Sequence, residues 1–391
     1  MNTQTQAASS IQFVFPLNGD CVNVRDGVPT ETGIQIPVTV TAPAGSDIYI
    51  NGQKALEADG FFRAGLAIDG YRTVLTAENR VTGETSHIAV YYFPEAIGKF
   101  RLSSDDNLLF LKDITEHQDV YRSIFDNPYL AVYKKAHDLY GTKVHLNLFY
   151  ELDDEAASRF NPRPSYFNLS MMTDRFKEEF KANSDWLKLA FHANSELPDK
   201  PYEFDEPEKI RKDCLAVNRE ILRFAGPDSI NDTTTTHWGS ANRACVRELR
   251  SLGYRSLTGY FQTDSHGVPL ASYYKTAEQI AHIGERDFFF DTEEDMLFGQ
   301  IDLVLNMRTY ERMMEKLAGI VEHPHRGGFV SIMIHEQYFY PNYANYLPDF
   351  EHRVLSACRY LHEHGYVGAH ICDVTQEKHL RDNPLLRATK A

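Results

Sequence analysis

Near residue 98 the hydrophobic pattern of this chain changes its period, and that change restricts the possible folds more than any other feature. Before it, short alternating segments (11–15, 34–41, 47–50, 61–67, 73–77 and 86–93) are separated by the pairs Asn18-Gly19, Asn51-Gly52, Asp59-Gly60, Asp69-Gly70 and Thr82-Gly83. Alternation sends successive side chains to opposite faces, and turn signals at such spacing predict a β-sandwich over residues 1–97. After it, strands alternate with helices. Tyr129, Val132, Tyr133, Ala136 and Tyr140 recur at helical spacing ahead of Gly141 and a strand at 144–150. A helix over 242–252 buries Cys245, Leu249 and Leu252, then Gly253 and a strand at 255–261 follow. Helices over 308–321 and 350–364 precede strands at 328–334 and 367–374. This order calls for a parallel sheet covered by helices across residues 98–391, either a barrel or a doubly wound sheet. From residue 376 the chain is polar and reads as a loose tail.

A chain of 391 residues has room for both units. Its net charge of −15 disfavours nucleic acid and anionic membrane as partners. The five cysteines are scattered without a C-x-x-C pair, as expected for reduced thiols. Residues 1–10 lack the apolar core of a signal peptide, and no run approaches the ~20 apolar residues of a membrane span, so a cytoplasmic location is expected.

The chemistry concentrates at strand ends. Asp105-Asp106 follows a short strand run at 99–102, His192 follows a strand at 186–191, and His335 follows the one at 328–334. In a barrel of alternating strands and helices, the C-terminal strand ends form the catalytic face. Two adjacent carboxylates can divide the work of metal-assisted hydrolysis, one holding the ion while its neighbour reaches a bound water. His237, at the end of the Thr233–Thr236 run, offers a further imidazole. His335, an imidazole following a buried strand, suits a general acid. Trp238, Tyr260, Tyr338 and Tyr340 lie near predicted strand ends, where aromatic faces suit stacking on sugar rings.

The order of Leu102-Ser-Ser-Asp-Asp-Asn107, Tyr140-Gly-Thr-Lys-Val144, Phe191-His-Ala-Asn-Ser-Glu196, Thr236-His-Trp-Gly-Ser-Ala-Asn242 and Ser331-Ile-Met-Ile-His335 resembles the polysaccharide deacetylase superfamily. The segment Tyr49 to Asn79 likewise resembles immunoglobulin-like modules attached to carbohydrate-active enzymes. The first resemblance implies a distorted (β/α)7 barrel that uses one divalent metal, zinc foremost with manganese, iron or nickel as alternatives. The activity implied is hydrolysis of N- or O-acetyl groups on a carbohydrate. It makes Asp105 the base, Asp106 and His192 metal ligands, and His335 the acid. Glu196 stands where the family has its second ligating histidine, so Glu196 or His237 completes the set. Thr235-Thr236-His237 replaces the family's base-orienting arginine segment, leaving Arg243 or Arg101 as substitutes. Trp238, Arg243, Glu336 and Tyr338 are the expected substrate contacts. Two other readings stay open: a hydrolase of another C–N or glycosidic bond, and a non-catalytic carbohydrate-binding protein.

Overall fold

The computed structural model describes residues 10–375, a mixed α/β structure. The predicted tail from residue 376 lies outside the described residues. Two five-stranded sheets make up the N-terminal part. One runs Gln12–Phe15, Ile34–Thr41, Phe61–Ile68, Leu56–Ala58, with Val28–Pro29 beside the second of these. The other runs Cys21–Val22, Glu84–Tyr92, Arg72–Asn79, Ile48–Ile50, Gln53–Lys54. Period-two burial drives them together: Ile34, Ile36, Val38 and Val40 are fully buried, while Gln35 and Pro37 between them are exposed. These residues share one apolar cluster with Ile50, Leu75, Ala77 and Val90 of the second sheet. Asn51-Gly52 and Asp59-Gly60 take positive φ at both positions (47° and 80°; 53° and 78°), which two-residue hairpin turns require.

From Lys99 onward the pairing becomes parallel. One sheet is ordered Leu187–Ala193, Val144–Phe149, Lys99–Asn107, Phe329–His335, Leu303–Val304. A second contains Thr233–Thr234, Ser256–Gly259 and Met296–Gln300 in parallel, with Phe288–Asp291 antiparallel at its edge. A parallel bridge between Leu189 and Ile230 links the two on one side. On the other, the chain passes from Met296–Gln300 directly into Leu303–Val304. There the Ile301 N–H donates to Gly259 and the Asp302 N–H to Ser331. Val144–Phe149 is buried along its whole length, as a strand covered on both faces must be. Helix Pro128–Tyr140 opens with proline at its first position, the Asn127 side chain accepting from the Leu130 N–H, and closes on Gly141 at φ 63°.

Several predicted elements end differently, three of them next to the chemistry or at the end of the described chain. The strand bearing Asp105-Asp106 extends through both aspartates to Asn107, because its ladder with Phe329–His335 continues to the Asp105–His335 pair. The threonine strand stops at Thr234. The last strand stops at Gly368, and Ile371–Thr375 is helical, with the Asp373 carboxylate accepting from the His370 N–H at its start.

The N-terminal sheets are fastened to the remainder. Cys21, Ala89, Tyr91 and Phe93 share an apolar cluster with Phe288, Leu297, Phe329 and Ile371. The Arg25 guanidinium donates to the carbonyls of Val321, His323, Arg326 and Gly327, and Asp26 pairs with Arg286.

Candidate metal centre

Strict alternation along a strand would send Asp105 and Asp106 to opposite faces. Both nevertheless line one cavity of about 470 Å³. The reason lies in the ladder with Val144–Phe149, where Ser104 pairs with Leu146 but Asn107 with Leu148. Three residue steps oppose two, so one residue is extra. Asp106 takes up the irregularity at φ 61°, a left-handed conformation that aspartate tolerates better than most side chains.

His192 projects from strand Leu187–Ala193, and His237 sits in the single turn His237–Gly239 that follows the threonine strand. Asp106 Oδ1 lies 3.1 Å from His192 Nε2 and 3.4 Å from His237 Nδ1, and the two ring nitrogens are 3.2 Å apart. Among the described residues these three form the group whose donor atoms are close enough to share a metal ion. Their spacing fits one: ligands about 2.0–2.1 Å from a tetrahedral zinc stand about 3.3 Å from each other. The outer ring nitrogens are already engaged. His192 Nδ1–H donates to the Thr235 carbonyl at 2.5 Å and His237 Nε2–H to the Glu196 carbonyl at 2.9 Å. Each imidazole therefore turns its unprotonated nitrogen toward Asp106, the arrangement metal-bound histidines require. The Phe149 ring packs 5.1 Å from each imidazole, and Gln337 Nε2 donates to Asp106 Oδ2 at 2.8 Å. Burial pushes the Asp106 carboxyl up, yet the two imidazoles, which hydrogen-bond it when they are protonated, and the charge of His335 outweigh burial and hold the carboxyl well below its usual range. Burial likewise opposes charge on His192, but Asp106 and Asp105 raise its value.

Of the two alternatives for a third ligand, the close group contains His237. The Glu196 carboxylate is taken by Arg159 at 2.6 Å, and burial foremost, with Asp106 next, raises its pKa.

Asp105 accepts a 2.6 Å hydrogen bond from Asn147 Nδ2. Neither proposed arginine holds it. Arg101 is buried beneath, donating to Ser331, His145, Thr258 and Ser103, and burial lowers its pKa to about 10 against the opposing pull of Asp105. Arg243, expected as a substrate contact, is not among the residues lining the cavity; it pairs with Glu293 at 2.7 Å and sits over the Tyr274 ring. Glu336 is also displaced from its expected place. It is fully buried and accepts the N–H groups of Leu108, Leu109 and Phe110 plus the Tyr340 hydroxyl, capping the start of helix Leu109–Glu116. Trp238 and Tyr338 do line the cavity, with Tyr260 and Tyr343. His335 lines it as well, and Asn306 Oδ1 accepts from its Nδ1–H at 3.0 Å, leaving Nε2 available.

Asn147 and Asn306 are among the site residues that sequence reasoning passed over, with Phe149, Arg159 and Tyr343. Asn147 carried a signal, being the amide inside the buried run Val144-His-Leu-Asn-Leu-Phe149. Asn306 carried none.

Among the described residues no helix is long and apolar enough to cross a membrane. No protein-family model matches the sequence, and no curated protein matches it. Among solved structures there is a similarity to a Bacteroides fragilis protein described as a candidate alpha-galactosidase/melibiase. It has 11% identity over 65% of this chain and 60% of that one, with a TM-score of 0.18.

Proposed function

We propose that this chain is a metal-dependent hydrolase that removes acetyl groups, N- or O-linked, from a carbohydrate. The observation that carries the reading is the Asp106–His192–His237 triangle, tautomers fixed, in the same cavity as Asp105 and His335. A divalent ion held there, zinc by the imidazole-rich donor set, would lower the pKa of a water and polarise the acyl carbonyl. Asp105, steadied by Asn147, takes the proton of the attacking water through its free oxygen. His335, with Nδ1 on Asn306, delivers a proton from Nε2 to the departing amine or alkoxide. Trp238, Tyr260 and Tyr338 supply flat faces for a sugar ring. The cavity volume lies within the usual range of small-molecule sites, about 300–1,000 Å³.

The wider architecture we infer is a distorted (β/α) barrel from residue 98 onward, with residues 1–97 as an immunoglobulin-like sandwich. Supporting it are the bridge at Ile230 and the shared strand course through Ile301, which join the two parallel sheets at both sides.

Elemental analysis after zinc loading should give about one ion per chain. The loaded protein should release acetate from acetylated amino sugars or O-acetylated glycans. Asp105→Asn and His335→Ala should each lower turnover by about 10²-fold or more while keeping metal and fold. A parent protein that takes up no metal, or releases no acetate from any such substrate, would overturn the reading.

A further inference from the structure

Away from the metal centre, a second cavity of about 450 Å³ opens in the seam between the N-terminal sheets and the parallel-sheet region. Tyr71, Arg72 and Tyr91 line it from the N-terminal side; Arg250, Arg255 and Phe290 line it from the other. Asp295 is the acidic residue of the lining, and Arg250 already engages it through Nε at 3.0 Å and Nη2 at 2.5 Å. Among the described residues, three guanidiniums against one carboxylate leave the lining with two excess positive charges, in a chain whose net charge is −15.

Two of those charges have no anionic partner among the described residues. The Arg72 guanidinium lies near the Tyr91 hydroxyl, a neutral group. Arg255 makes no side-chain hydrogen bond or ion pair with any described residue, and its Nε is buried without an acceptor. A buried N–H left unpaired costs free energy, which an acceptor entering the cavity would recover. Guanidinium groups present paired donors that match the oxygens of carboxylate and phosphate. The aromatic wall adds an apolar face: Tyr91 stacks on Phe290 at 4.3 Å and 24°, and Tyr71 stands edge-on to Tyr91 at 5.9 Å.

We propose that this seam cavity is a binding site for a small oxyanion, a carboxylate or phosphate group, carried on a body that packs against the tyrosine rings. Arg255 and Arg72 are its direct partners. The site is separate from the metal centre, and the proposal stands whether or not the chain is a deacetylase.

The test titrates the full chain, stripped of metal with a chelator so that no anion can bind through an ion. The probes are inorganic phosphate, glucuronate and neutral glucose, followed by calorimetry at low ionic strength. Saturable binding of phosphate or glucuronate is expected, with none of glucose, and added salt should weaken it. Tighter binding of glucuronate would identify an acidic sugar as the source of the oxyanion; tighter binding of phosphate would identify a phosphate group. Arg255→Met and Arg72→Gln should each weaken binding about tenfold or more. His237→Ala should leave it unchanged. Arg72 is exposed on its strand, so Arg72→Gln keeps the test open if Arg255→Met fails to fold. Absence of saturable anion binding, equal affinity in the arginine variants, or loss of binding in His237→Ala would each overturn the proposal.

Discussion

Replacing Glu336 with alanine should destabilise the fold and loosen the metal centre together. Its carboxylate accepts three backbone N–H groups, at 2.5, 2.9 and 2.6 Å, and the Tyr340 hydroxyl at 2.7 Å. Leaving a buried donor unsatisfied costs about 1–3 kcal/mol. Water entering the vacated space would recover part of that, so the net loss for the four donors should be about 3–5 kcal/mol. Unfolding entropy of about 2.1 cal/mol/K per residue gives roughly 0.8 kcal/mol/K for 391 residues. The melting temperature should therefore fall by about 4–6 °C, read by calorimetry on the metal-free protein. Leu108, the first donor, lies two residues beyond Asp106, so freeing it also releases the backbone that aims the ligand. Metal affinity should drop by about 10–100-fold, the usual scale for groups that orient a ligand. An unchanged melting temperature with a selectively raised KM would show that Glu336 meets substrate after all, and the capping argument would fail.

Glu196→Gln should keep about one zinc per chain while His237→Ala loses it; the reverse order would return Glu196 to the ligand set. Arg25→Ala removes four hydrogen bonds to carbonyls across the seam and should cost about 2–4 kcal/mol; a melting temperature equal to the parent's would show that the seam does not depend on them. Asp302 has its folded-state pKa raised from 3.8 to about 7, by burial foremost, so between those values the folded chain holds a proton that the unfolded chain has released. Its contribution to stability is therefore largest below 3.8 and declines, by roughly 4 kcal/mol at most, as pH rises to about 7. Asp302→Asn should flatten that decline, and stability curves that stay parallel to the parent's between about pH 4 and 8 would refute the assignment.

Period was the legible part of the fold. Alternation at Ile34, Ile36, Val38 and Val40 and helical spacing through Tyr129–Ala136 each led to the element observed, because apolar burial alone decides them. Asp106 and His192 could be read as partners because two separated strands deliver them to one place. The choice between Glu196 and His237 could not, since it turns on Arg159 reaching Glu196 from a distant segment. Arg243 misled for a related reason: its helix position was right, but Glu293 and Tyr274, remote in sequence, take its guanidinium. Glu336 misled by proximity. It follows His335 directly, yet the turn Glu336–Phe339 swings its carboxylate under helix Leu109–Glu116.

The metal triangle also accounts for backbone that local preference would not select. Asp106 itself sits at φ 61°, and Trp238, directly after His237, sits at φ 62° with Gly239 at 53°. A left-handed non-glycine residue costs of order 1 kcal/mol or more and persists only where its surroundings determine it. For Asp106 those surroundings are the extra residue in the ladder, the imidazoles on Oδ1 and Gln337 on Oδ2. For the Trp238 turn they are the Tyr273 N–H on the Gly239 carbonyl and the close approach of Ala271, which leaves no room for a side chain at Gly239. Two of the three segments that carry the triangle are thus bent against their own preference toward a common point, while the third, bearing His192, lies on a regular strand. An apolar cavity would gain nothing from that expense. A site that must bring one oxygen and two nitrogens to about 3.3 Å from one another gains its geometry from it.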